Sequence, residues 1–256
     1  MARFFINPEQ KNDNKVEIVG DDVKHITKVL RLKPGAEITV LDGTGQEFQV
    51  ILEDCLKERV MGRVISQFEP KVEPKYQVTL IQGLPKGDKM DLIVQKCTEL
   101  GIRNIIPVNT ERSIVKIDAK RAEKKVKRWQ KIAKEAAEQS KRSIIPTVSE
   151  LKNLSNALEN IKGKGLLLMP WEGEKSQGIK EVLKHEIKIE TAGENLVKEI
   201  FLVIGPEGGF SEQEAEAAGA LGAITISLGP RILRTETAGL AALTMVLYEL
   251  GDLGGF

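Results

Sequence analysis

Ile200-Phe201-Leu202-Val203-Ile204-Gly205-Pro206-Glu207-Gly208-Gly209-Phe210-Ser211-Glu212-Gln213-Glu214 decides the fold class. Five consecutive apolar residues, Ile200–Ile204, are too short a run for a helix and show no alternation, so they read as a strand buried on both faces. Gly205 and Pro206 end it. Ser211, followed three residues later by Glu214, forms a capping box, so a helix begins there. The same strand, Gly/Pro loop and helix recur around Leu166–Met169 and Ala223–Ser227. Upstream, Gln77–Gln82 and Asn104–Val108 read as strands, with helices over 88–100 and 119–139. Gly101 closes the first of these helices. Residues 148–161 read as roughly helical, and Thr235–Leu250 as a final, mostly apolar helix with Thr235 as its cap. Strands alternating with helices predict a largely parallel, covered α/β sheet.

The N-terminal part differs. Short strands are expected at 2–6, 15–19, 37–41, 47–52 and 59–68, with Asp42-Gly43-Thr44-Gly45 as a hairpin turn. Asp21 or Asp22 caps a short helix carrying Val23, Ile26 and Leu30. Phe68-Glu69-Pro70-Lys71-Val72-Glu73-Pro74-Lys75 has linker composition, so two domains are expected, over 1–70 and 71–256.

Composition narrows the function. The 256 residues are 41% hydrophobic and 29% charged, as in ordinary globular proteins. Two cysteines, Cys55 and Cys97, build no disulfide framework, and Cys97 falls on the apolar face of its helix. No signal peptide or membrane-spanning run is visible, so a cytoplasmic location is expected. His25 and His185 stand far apart, which leaves no zinc-ligand cluster and no metal expected. P-loop, dinucleotide and hydrolase-elbow motifs are missing.

The net charge of +1 conceals its distribution. Residues 1–70 carry −2, 71–150 carry +8 and 151–256 carry −5, and the whole +8 lies within 112–142. A basic belt on an otherwise balanced chain is the footprint of a polyanion binder, although a solvated helix face would look similar.

Two loops carry the chemical signal, Gly205–Gly209 and Leu228-Gly229-Pro230-Arg231-Ile232-Leu233-Arg234-Thr235-Glu236-Thr237-Ala238. Both leave the carboxyl end of a strand and enter a helix, the place where open α/β sheets bind ligands. These strings resemble the RsmE-type 16S ribosomal RNA uridine-N3 methyltransferases of the SPOUT class. The likeness extends to His25-Ile26 with Val29-Leu30-Arg31, to Pro85–Met90 with Lys96–Gly101, to Thr110–Ser113, and to Arg128-Trp129 with Glu135–Ser140 and Arg142.

The resemblance implies an N-terminal PUA-like β-barrel, a C-terminal SPOUT α/β domain with a trefoil knot in its parallel sheet, S-adenosyl-L-methionine as methyl donor, and a homodimer acting on 16S rRNA of the small ribosomal subunit. It places the donor against Met169, Pro170, Trp171, Glu172, Gly205, Pro206, Glu207, Gly208, Gly209, Leu228, Gly229, Arg231, Ile232 and Leu233. Methylation at uridine N3 requires loss of the N3 proton and stabilisation of charge on O2 and O4, a task for a guanidinium. Arg231, Arg234, Arg112 and Arg142 are candidates, with Arg234 or a second subunit's Arg142 on the uracil and Glu236 or Glu135 on the proton. Lys24, His25, Lys28, Arg31, Lys33, Arg112, Lys124, Lys125 and Arg128 are expected to meet RNA. A SPOUT enzyme acting on ribose or on a tRNA guanine, a non-catalytic RNA-binding assembly factor and a small-molecule enzyme remain open at this stage.

Overall fold

The computed structural model describes residues 2–113, 117–191 and 199–254, and the side chains of 187–191 lie outside that description. The chain divides into two compact units, Met1–Glu73 with Ala137–Ile145, and Pro74–Ala136 with Pro146–Phe256.

The first unit contains β1 (Arg3–Phe5), β2 (Lys11–Asn12), β3 (Lys15–Val19), α1 (Asp21–Lys24), β4 (Glu37–Leu41), β5 (Glu47–Cys55) and β6 (Arg59–Phe68). They form one sheet in the order β1-β4-β5-β6-β3-β2, antiparallel except for β1 beside β4. Register shifts between Gln49 and Val50 and between Leu52 and Asp54 bend the long β5–β6 pair. Alternate residues, among them Val16, Ile18, Ile38, Val40, Phe48, Val50 and Val60, fill a shared core with Phe4, Val23 and Ile26.

The local structure differs from the expected cap here. Gly20, at φ 79°, takes the cap position, and Asp21 and Asp22 fall in the first turn instead. The helix then widens into a π turn over His25–Val29, which rotates Leu30 off the buried face and leaves it exposed.

Ala137–Ile145 joins this unit because Ala137 and Ile145 pack with Phe5 and Leu41. Arg142 is buried there, with Nε donating to Glu73 Oε2 at 3.2 Å. The same carboxylate accepts the backbone N–H groups of Ser143 and Ile144.

The second unit runs β7 (Gln77–Gly83), α2 (Lys89–Leu100), β8 (Asn104–Asn109), α3 (Ala119–Gln139, whose last residues belong to the first unit), β9 (Thr147–Val148), β10 (Lys152–Asn153), α4 (Leu154–Ile161), β11 (Leu166–Pro170), α5 (Ile179–Thr191), β12 (Glu199–Ile204), α6 (Glu212–Ala220), β13 (Ala223–Ile226) and α7 (Thr235–Glu249). The described strands pair in parallel in the order β10-β8-β7-β12-β11-β13, with β9 also on β8. Near-continuous apolar strands suit a sheet covered on both faces. Ile81, Leu167, Met169, Phe201 and Val203 point toward α4 and α6. The alternate residues Leu80 and Gln82 meet α7 at Gly239.

The helix expected over 148–161 is shorter. Val148 pairs with Ile105, and Lys152–Asn153 pair with Val108–Asn109, so the backbone hydrogen bonds there go to the sheet and α4 starts only at Leu154. No described helix is long and apolar enough to cross a membrane.

Candidate active site at the ends of β11, β12 and β13

Three adjacent parallel strands, β12, β11 and β13, end at one rim. The loops that follow them enclose a cavity of about 1230 Å³. Its wall comprises Pro170–Glu172, Glu174 and Lys175 after β11, Ile204–Phe210 after β12, and Ser227–Thr235 after β13, with Lys89 from α2 and Ala238 from α7.

Each wall is fixed by a different device. In the first loop the Glu174 carboxylate accepts the Ser176 hydroxyl and N–H, each at 2.6 Å, the Thr225 hydroxyl at 3.0 Å and the Gln177 N–H at 3.3 Å. Led by the Ser176 hydroxyl and its backbone N–H, and then by Thr225, these bonds pull the Glu174 pKa down to about 2. Backbone bonds Trp171 N–H to Ile226 carbonyl and Ser227 N–H to Gln177 carbonyl stitch the same loop to the end of β13.

The second loop folds back on itself. A Cβ on Gly205 would come within 3.1 Å of the Gly209 backbone, and Gly209 sits at φ 64°. The expected capping box is present, with Ser211 Oγ accepting the Glu214 N–H at 3.2 Å and Glu214 accepting the Ser211 N–H at 3.0 Å. Glu207 accepts Lys89 Nζ at 2.9 Å and the Lys86 N–H at 3.1 Å. Against the cost of its burial, the Lys89 bond and backbone N–H groups hold its carboxyl below the usual range. Lys89 also reaches Glu236 Oε2 at 3.2 Å, and its ammonium is held above its ordinary pKa, chiefly by the bond to Glu207.

The third loop ends at α7. Arg234, not Thr235, occupies the cap position. Thr235 is the first helical residue and directs its hydroxyl to the Gly205 carbonyl at 2.6 Å. Arg231, Arg234 and Ile232 are exposed, Ile232 at 89%.

Pro170, Gly205–Gly209, Leu228, Gly229, Arg231, Ile232, Leu233 and Arg234 therefore meet in one place. Met169 does not line the cavity, because the strand alternation turns its side chain into the core toward α4 and α6. Glu236 lies behind the wall on Lys89. Glu135 is exposed on α3, 3.8 Å from Lys131, and is not among the lining residues. Arg142 belongs to the other unit and is committed to Glu73.

Some residues expected on RNA have structural partners. Arg112 Nη1 donates to the Gly208 carbonyl at 3.2 Å, and Arg128 pairs with Asp91. Trp129 Nε1 donates to Asp91 at 3.0 Å, and Lys125 lies 5.8 Å over the Trp129 ring. Lys124 is exposed on α3. In the first unit Lys24, His25, Lys28, Arg31 and Lys33 are all exposed around Val29 and Leu30, with the His25 ring edge-on to Phe4 at 5.7 Å.

Lys89, Glu174, Lys175, Phe210 and Thr235 are among the lining residues beyond the expected set. One signal for Lys89 was available: a cation in the first turn of a helix opposes the helix dipole and needs an acidic partner.

The comparisons with known proteins bear on this arrangement. Residues 72–247 match the family described as RNA methyltransferase domain, and residues 18–59 match the RNA methyltransferase PUA domain. The chain is 37% identical over 258 residues to ribosomal RNA small subunit methyltransferase E of Bacillus subtilis (strain 168), covering 100% of this chain and 99% of that protein. The chain belongs to the ribosomal RNA small subunit methyltransferase E family. A crystal structure of the Neisseria gonorrhoeae member of that family, bound to S-adenosyl methionine, superposes with a TM-score of 0.80 at 32% identity, covering 97% of each chain. A methyltransferase from Legionella pneumophila in complex with the same cofactor gives 0.77 at 30% identity, covering 96% of each chain. The resemblance carried by the two glycine loops thus extends over the whole length, and the PUA match falls within the first unit.

Proposed function

We propose that this chain transfers a methyl group from S-adenosylmethionine to N3 of a uridine in 16S rRNA. The observation that carries this reading is the convergence of three strand-end loops on one cavity whose wall presents Arg231 and Arg234. The residues present fit a nucleoside-sized sulfonium donor. Trp171, Ile204, Phe210, Leu228 and Leu233 supply apolar walls, and the tightly folded Gly205–Gly209 turn brings backbone within reach. When bound, the donor supplies an electrophilic methyl group.

The chain's own residues do the rest. Arg234 or Arg231 meets the uracil oxygens and stabilises negative charge as N3 loses its proton. Arg142 is the weaker candidate, because freeing it would leave Glu73 as an unpaired, largely buried charge, at about 3–5 kcal/mol. Of the two proton candidates, Glu236 is the one whose partner, Lys89, faces the cavity, and it shares that cation with Glu207. N3 lies on the Watson–Crick edge, so the uridine must be unpaired or turned out of its stack. Lys24, Lys28, Arg31 and Lys33, with the exposed Val29 and Leu30, would hold the surrounding RNA. The reading includes a domain of PUA type over 1–70, a knotted sheet domain over 71–256, a homodimer and a cytoplasmic location.

Nucleoside mass spectrometry of 16S rRNA incubated with the protein and labelled donor tests this. 3-Methyluridine appearing with wild type and failing with Arg234→Ala is expected. Label on ribose or on another base would overturn it.

A further inference from the structure

Gln82 is the last residue but one of β7 and is fully buried, on the strand face that meets α7. Its Nε2 donates to the Gly83 carbonyl at 3.0 Å and to Thr235 Oγ1 at 2.9 Å. Thr235 Oγ1 donates in turn to the Gly205 carbonyl at 2.6 Å. Chemistry fixes the direction of this relay. A carbonyl only accepts, so the Thr235 hydroxyl spends its one proton on Gly205 and offers Gln82 only lone pairs. Gly83 likewise demands a donor, so the amide nitrogen faces both.

The other end of the amide is left over. Gln82 Oε1 is buried with no hydrogen-bond partner among the described residues. Leaving a buried acceptor unpaired is destabilising, so the two bonds that Nε2 donates come with a cost on the oxygen side of the same amide. The feature that this amide provides and an apolar side chain lacks is a fixed orientation of Thr235.

The group being oriented is unusual. Gly205 has no Cβ to restrain its dihedrals, and the next residue, Pro206, contributes no N–H. The Gly205–Pro206 peptide group is thus held through its single carbonyl, and the Thr235 hydroxyl occupies that carbonyl. Thr235 directly follows Arg234. One relay consequently ties the end of β7, the loop after β12 and the arginine-bearing loop before α7.

We infer that Gln82 and Thr235 are positioning residues, which set the glycine loop after β12 relative to Arg234 for donor binding and methyl transfer. This rests on the reading of the cavity as the donor site.

Calorimetric titration of the full chain with S-adenosylmethionine, well below the melting temperature, tests it. Thr235→Val keeps the shape and removes the hydroxyl, Thr235→Ser keeps the hydroxyl, and Gln82→Met acts from outside the cavity wall. Thr98→Val removes a comparable buried hydroxyl bond, to the Val94 carbonyl in α2, away from the site. Thr235→Val and Gln82→Met are expected to weaken donor binding about tenfold and to lower kcat, with Thr235→Ser and Thr98→Val within about twofold of wild type. Should Gln82→Met fail to fold, the Val and Ser pair decides alone. Wild-type affinity and kcat in Thr235→Val, with only a Thr98→Val-like drop in melting temperature, would overturn the inference and spare the donor reading. No heat of binding in wild type would overturn both.

Discussion

Substituting Gly83 by alanine tests how closely the donor loop is built against the sheet. A Cβ at Gly83 would stand 2.7 Å from Pro206 Cδ, 2.8 Å from Pro206 N and 3.1 Å from the Gly205 carbonyl carbon. Carbon atoms pack comfortably at about 3.5–4.0 Å, so the nearest contact is roughly 0.8 Å too close. None of these three atoms lies at the free end of a flexible side chain. Two are backbone, and the third sits in a ring whose φ is fixed. The loop over 205–209 must therefore move as a whole, away from the Thr235 hydroxyl that holds it. Overpacking of this kind costs about 1–3 kcal/mol, which for a chain of this size lowers the melting temperature by roughly 2–12 °C. Donor affinity should fall at least about tenfold, because the displaced segment is a cavity wall. Gly219→Ala is the matched control: it lies in α6 with open space around its Cβ position and should gain about 0.5–1 kcal/mol. Differential scanning fluorimetry and calorimetric titration of both variants read the result. Gly83→Ala that melts and binds donor like wild type would refute the claim that this contact shapes the site.

Other outcomes follow from the charges. Glu174 has its pKa lowered from 4.5 to about 2, so its contribution is fully present above pH 4.5 and is lost as pH falls toward about 2; melting curves across that window should be less pH-dependent in Glu174→Gln, and parallel curves would contradict the loop lock. Lys89→Met leaves Glu207 and Glu236 without their shared cation and should weaken donor binding several-fold at low salt, whereas titrations that match wild type at every salt concentration would remove Lys89 from the site. Replacing Lys24, Lys28 and Arg31 together by alanine should reduce the slope of log affinity for rRNA against log salt by about 2–3, read by fluorescence anisotropy, and an unchanged slope would take this patch out of the RNA interface.

Much of the arrangement was legible because it rests on local chemistry. Ile200–Ile204 reads as a buried strand from its five apolar residues, and Ser211 with Glu214 reads as a helix start from the reciprocal bonds that such a pair makes. The errors arose where tertiary pairing overrode local pattern. Val148 and Leu154 carry helix-like spacing, yet the edge of β8 claims the backbone between them. Leu30 follows the spacing of Val23 and Ile26, but one wide turn changes its phase. The resemblance puts Met169 on the cavity beside Pro170, and strand alternation sends the two side chains to opposite faces. Lys89, Gln82 and Thr235 were invisible as a set. They lie on α2, β7 and α7, and only the folded sheet brings them to one rim.

The charge pattern at that rim favours a substrate that becomes anionic during reaction. The cavity's acids are mostly occupied. Glu174 is consumed by its own loop and Glu207 by Lys89, and Glu236 behind them shares that cation. The charged side chains of the wall without a partner among the described residues are Glu172, Lys175, Arg231 and Arg234, a net of +2. Neutral uracil gains little from such a surplus, whereas a uracil losing its N3 proton gains more as its charge develops, which is where electrostatic stabilisation accelerates a reaction. The acids bonded within the loops fix their shape, and in the proposed function the arginines are left to act on the bound base. A donor pocket without a second, anionic reactant would have no use for two exposed guanidiniums flanking Ile232 and Leu233. Their lack of partners contrasts with the partly buried Arg3 and the buried Arg142, both ion-paired, and supports the proposal that Arg231 and Arg234 serve the substrate.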